Sequence, residues 1–110
     1  MVIDFDNEEF ASFPKFKGGE GEMLSKMHYD GLNRIMKAKL EPGASIGLHT
    51  HEGNSEIIYI LSGEGSVLYD GERLPLKAGQ CHYCPKGHSH SLINDSKDVL
   101  EFFAAVPEQP

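Results

Sequence analysis

The chain has 110 residues, 39% of them hydrophobic and 25% charged, a length and balance that fit one folded domain with one core. Disorder and coiled coil do not fit that composition. Seventeen acidic against ten basic residues give a net charge of −7 with neutral His, which repels a phosphate backbone and argues against nucleic acid as a partner.

Residues 1–18 read as an acidic, Phe-containing arm or flank, with Asp4, Asp6, Glu8 and Glu9 interleaved with Phe5, Phe10, Phe13 and Phe16. No basic residue precedes an apolar stretch here, so the layout of a secretory leader is missing and a cytoplasmic location is expected. Asp6 and Glu9 have capping-box spacing, which predicts one helical turn that starts at Asp6 and stops before Pro14. The Phe rings need burial, either on the domain's own flank or across a subunit interface.

Residues 19–110 read as a single β domain. From Met23 the period is two, as in a strand whose successive side chains point to opposite faces. Met23, Ser25, Met27 and Tyr29 alternate with Leu24, Lys26 and His28. After Asp30-Gly31, Arg34, Met36, Ala38 and Leu40 alternate with Ile35, Lys37, Lys39 and Glu41. Pro42-Gly43 is a turn signal, because Pro presets φ and Gly accepts positive φ. Further strands are expected over residues 44–51, 56–62, 66–69, 72–76, 81–84, 89–94 and 99–106, with Asp70-Gly71 as a hairpin turn. The longest apolar run, Ile57 to Leu61, is far short of the roughly 20 residues of a membrane-crossing helix. About ten short strands with Gly-rich turns describe an all-β sandwich or barrel with little helix.

Six His stand out in this composition, and five of them (His49, His51, His82, His88 and His90) fall close together in the sequence. His49 and His51 share one face if the segment is a strand. Glu56 follows after the loop Glu52-Gly53-Asn54-Ser55, which can return its carboxylate beside both imidazoles, and His90 on a later strand can close the set. Three neutral imidazoles and one carboxylate suit a divalent first-row metal and leave coordination positions open.

These residues sit in two spaced patterns that resemble the motifs of the cupin superfamily. The first is Gly, five residues, His-x-His, a short gap, Glu, six residues, Gly; it runs from Gly43 through His49, His51 and Glu56 to Gly63 with every spacing met. The second is Gly, five residues, Pro-x-Gly, two residues, His, three residues, Asn; it runs from Gly79 through Pro85, Gly87 and His90 to Asn94, again complete. The resemblance implies a jelly-roll β-barrel, with His49, His51, Glu56 and His90 as ligands of one divalent ion (Mn, Fe, Ni, Zn or Cu). It implies turns at the four motif glycines, and it adds weight to a homodimer.

Around that set the residues leave alternatives. Arg34 is in phase with an apolar face that should line the barrel. The simpler reading puts it at the strand end reaching solvent, and the sharper one has it bind a substrate carboxylate beside the metal. His82 shares parity with Cys84; if both point inward, His82 becomes a candidate acid or base near the metal. His88 follows Gly87 and reads as an exposed loop residue. Cys81-x-x-Cys84 with His88 and His90 mimics a zinc site, but residues three apart on a strand face opposite ways, so both Cys read as reduced packing residues. The expected ligand is a small, oxygen-rich organic anion, handled by metal-assisted dioxygenase, decarboxylase or isomerase chemistry, or else bound without turnover as in a sensing barrel.

Overall fold

A computed structural model describes residues 1–110. Ten strands follow in chain order: β1 (Ala11–Pro14), β2 (Glu22–Tyr29), β3 (Asn33–Leu40), β4 (His49–Thr50), β5 (Glu56–Ser62), β6 (Glu64–Tyr69), β7 (Glu72–Lys77), β8 (Cys81–Cys84), β9 (Ser89–Ile93) and β10 (Leu100–Pro107). They form a six-stranded sheet, ordered β1-β2-β3-β10-β5-β8, and a four-stranded sheet, ordered β4-β9-β6-β7. Every pairing is antiparallel. This is the expected all-β jelly roll.

The alternation read from the sequence fills the space between the sheets. Met36, Ala38 and Leu40 of β3, Ile58 and Ile60 of β5, and Phe102 and Ala104 of β10 face Val67 and Leu92 of the smaller sheet, all buried. The opposite faces of β5 and β8 leave Ile57, Tyr59, Leu61 and Tyr83 exposed. Asp70-Gly71 makes the β6–β7 hairpin, with φ of 49° and 83° as a two-residue primed turn requires. No helix is long and apolar enough to cross a membrane.

Three expectations need correction. Residues 44–51 are not one strand: β4 keeps only His49 and Thr50, and Ser45 makes an isolated bridge to Ile93. Ala44 and Ile46 are buried as the alternation predicts, but the Ser45 and Gly47 N–H groups donate to the carbonyls of Glu20 and Phe16 instead of to a neighbouring strand. The turn at Asp6 is a 3-10 turn over Phe5–Asn7 with no side-chain cap, and residues 11–14 pair with β2 as an edge strand. Pro14 is tolerated there because an edge strand need not donate on both sides. Of the two cysteines, only Cys84 packs; Cys81 is exposed.

The motif glycines Gly43, Gly63, Gly79 and Gly87 all have positive φ, between 85° and 89°. At Gly63, between β5 and β6, a second constraint operates, since a Cβ would overlap the Val99 carbonyl. Gly63→Ala is therefore expected to lower stability by about 2 kcal/mol in urea unfolding. A loss below ~0.5 kcal/mol would mean that this backbone crossing yields easily.

Candidate metal centre

Antiparallel register brings the histidines together. His49 of β4 lies directly opposite His90 of β9, and His51 follows one residue beyond the end of β4. The turn before β9 holds it there: the His51 N–H donates to the His88 carbonyl at 3.0 Å, and the Gly87 N–H donates to the His51 carbonyl at 2.6 Å. Glu56 opens β5 opposite Cys84. The loop between His51 and Glu56 is clasped by the end of β10 and the residues after it, through Ser55 N–H to the Pro107 carbonyl and Gln109 N–H to the Gly53 carbonyl.

The four side chains converge. Oε1 of Glu56 lies 2.9 Å from His90 Nε2, 3.2 Å from His51 Nε2 and 3.9 Å from His49 Nε2, and the two nitrogens of His51 and His90 are 2.9 Å apart. All four donor atoms lie within 4.8 Å of one another. His90 and Glu56 are almost fully enclosed, while the His49 side chain remains 17% exposed, so the cluster opens on its side.

Each imidazole is oriented through its other nitrogen. His49 Nδ1 is 2.7 Å from the Gly47 carbonyl, His51 Nδ1 is 2.5 Å from Asn54 Oδ1, and His90 Nδ1 is 2.9 Å from His82 Nε2. With protons on Nδ1, three Nε2 lone pairs and a carboxylate point at one another in a buried space. That arrangement is repulsive unless positive charge sits between them. Two ligand atoms each about 2.1 Å from one ion and at right angles to it stand roughly 3 Å apart, so the observed separations fit a divalent ion bound by nitrogen and oxygen donors.

The protonation equilibria carry the same strain. Without an ion the cluster is relieved only by protons moved to Nε2: burial works against the ionised Glu56 carboxyl, yet hydrogen bonds from His49, His51 and His90 in that state hold it well below the usual carboxylate range. Burial also works against a charged His51, but Glu56 and Asn54 outweigh it and push that imidazole up, with the Lys17 charge opposing. At His90 burial wins and the pKa falls.

The structure also places the other candidates. His82 and Cys84 both point inward and are buried. His82 stands behind His90, away from the open side, and burial, then the charge of His90, lower its pKa to about 4. Burial pushes the Cys84 thiol up to about 11. His88 lies outside the strands, half-exposed, with Nδ1 2.5 Å from Asp70 Oδ2. Arg34 does not simply run out into solvent: it lines a cavity of about 110 Å³ over the open side of the cluster, with Lys17, Met36, Ile46 and Val106. Its Nε is buried without a hydrogen-bond partner, and its guanidinium lies 4.9 Å from the Tyr29 ring centre. A wider polar groove of about 520 Å³, between Glu64 and Ser96, contains no imidazole.

Asn54, Phe16 and Lys17 were not singled out by sequence reasoning as site residues. Asn54 lies inside the His51–Glu56 gap, where an amide acceptor next to a ligand loop is a readable signal; nothing local marks Phe16 or Lys17.

The family model described as "Cupin domain" matches residues 36–106, which span both motifs and the whole donor cluster. The chain belongs to the cupin family. The "Oxalate-binding protein" of Thermotoga maritima is 43% identical to this cupin over 112 residues, covering 96% of this chain and 93% of that protein. A crystal structure described as a predicted oxalate decarboxylase from Thermotoga maritima superposes with a TM-score of 0.92 at 35% identity, covering 98% of this chain and 99% of the other. The Schizosaccharomyces pombe Cnp3 cupin domain has the same fold at 12% identity, with a TM-score of 0.80 over 99% of this chain and 74% of that one.

The lowered pKa of His82 sets a sign for stability against pH. In metal-free protein the unfolded chain protonates this imidazole near pH 6.5, whereas the folded chain resists until about 4. Its contribution is complete above 6.5 and is lost as pH falls towards 4. His82→Asn should flatten the fall in urea midpoint across that window; the same slope in both proteins would mean His82 is not held neutral.

Proposed function

We propose that this cupin binds a small, oxygen-rich dianion of the oxalate class at a divalent metal held by His49, His51, Glu56 and His90. The observation that carries the reading is the four-donor cluster opening on a small cavity that contains an unpaired arginine. The 43% identical "Oxalate-binding protein", aligned over nearly all of both chains, supports the ligand class.

The bound metal supplies chelation and Lewis-acid polarisation of carboxylate oxygens. The protein's own residues do the rest. One carboxylate against three neutral imidazoles leaves a divalent centre near +1, which attracts an anion although the chain as a whole is acidic. Arg34 presents a fork of N–H donors, one of them without an acceptor, to a carboxylate in the cavity. Met36, Ile46 and Val106 keep the wall apolar, so those ionic contacts operate with little competing water. Asn54 and His82 fix the rings of His51 and His90.

Turnover is the second reading, favoured by the structural relative described as a predicted oxalate decarboxylase. Against it, the cavity is lined by no carboxyl or imidazole other than the donors themselves, Lys17 is the one other lining side chain that can exchange a proton, and His82 lies behind His90. Incubating metal-loaded protein with oxalate and assaying formate and carbon dioxide separates the two: stoichiometric binding without product supports the binding reading, and sustained product overturns it.

His49→Ala should remove most of the metal, read by elemental analysis, while circular dichroism and thermal unfolding stay close to wild type; retention of the ion would remove His49 from the ligand set. Asn54→Ala should weaken metal affinity by roughly 10-fold to 100-fold, as loss of an orienting partner does. Metal affinity should begin to fall somewhat above the ordinary imidazole value of about 6.5, because each imidazole must be neutral to donate and that of His51 is pushed up, and full retention after dialysis near pH 5 would count against three His ligands. Arg34→Ala should weaken oxalate binding about tenfold or more with metal content unchanged. Equal loss of both, or of neither, would sink that role.

A further inference from the structure

Residues 15–18 form a hook that the four donors do not require. Lys15 and Lys17 both take left-handed backbone angles, with φ of 48° and 56°, a region that residues with a branched or long side chain rarely adopt. The hook is fixed at several points. Lys15 N–H donates to the Gly21 carbonyl at 2.7 Å, Gly18 N–H to the Lys15 carbonyl at 2.8 Å, and Gly47 N–H to the Phe16 carbonyl at 2.9 Å. The Lys17 carbonyl presses so closely on Gly47 that no Cβ would fit there. Gly47 is also the residue whose carbonyl orients His49, so the hook is joined directly to the first imidazole of the cluster.

What this strained segment achieves is to set Lys17 on the wall of the 110 Å³ cavity. Lys17 has no carboxylate partner in a chain with seventeen acidic residues; its nearest aromatic neighbour is Phe16, 5.6 Å from Nζ to ring centre. Arg34, on the same wall, is equally without a carboxylate. Two unpaired cations on the wall of one small cavity are more than a singly charged ligand would neutralise.

We propose that Lys17 is the specificity-determining residue of this cavity, pairing with the second negative charge of a compact dicarboxylate and so favouring dianions over monoanions of the same shape. The proposal rests on the metal-dependent anion reading above. Oxalate and oxamate make the comparison, because they share a planar two-carbon frame and differ by one charge. Their affinities would be measured by calorimetry with Mn(II)-loaded wild type, Lys17→Gln and Lys17→Arg. Lys17 is exposed at the rim and holds no ligand atom, so these variants should fold; because its charge acts on His51, Mn(II) affinity is measured alongside and the anions are compared at saturating Mn(II). Lys17→Gln should lose about fivefold or more in oxalate affinity while oxamate changes by less than about twofold. Lys17→Arg should recover most of the oxalate loss, and rising salt should narrow the gap between wild type and Lys17→Gln. Equal losses for the two ligands, or no loss for oxalate, would overturn the role of Lys17 and leave the anion site standing. Failure of the wild-type protein to bind oxalate would overturn both.

Discussion

Three imidazole nitrogens and one carboxylate pointing at each other inside an apolar barrel is the constraint around which this molecule is arranged. The cluster is unfavourable without a positive charge at its centre, because each group has been removed from water and turned toward other electron-rich atoms. The surroundings maintain that geometry. A backbone carbonyl, an amide and a fourth histidine each hold the far side of one ring, so the rings cannot rotate their lone pairs away. The hydrophobic layer of β3, β5 and β10 supplies a rigid floor that does not depend on the ion.

The electrostatics of the whole chain and of its cavity have opposite sign. The net charge of −7 repels polyanions, whereas the cavity gathers Arg34, Lys17 and the candidate donor cluster in a space a few water molecules wide. Because the cavity is small and partly apolar, charges there are less screened than on the exterior. On the proposed function, this arrangement would separate small anions from large ones by size and from neutral molecules by charge.

Much of this was legible in the sequence, for local reasons. The two-residue period located most strands, and the His49–His51 spacing placed both rings on one side. The phase of Arg34 with Met36 and Ala38 put its side chain toward the interior, where the cavity lies. What escaped depends on contacts between distant segments. Alternation continues through residues 44–48, yet the Ser45 and Gly47 N–H groups are diverted to Glu20 and Phe16, which no periodicity reports. Edge strand β1 is short and ends in Pro, so it carries no strand signal. Lys17 reaches the cavity only because a hook thirty residues upstream of Gly47 in sequence folds against it.

The clasp formed by residues 107–109 on the His51–Glu56 loop ties the last stretch of the described backbone to the donor cluster. β10, which leads into it, lies between β3 and β5 in the larger sheet. The strand that begins with Glu56 gains its neighbour, and the loop that carries Asn54 gains its fastening, from one continuous run of residues. Positioning of the donors is thus a property of the closed sheet and not of the loop alone.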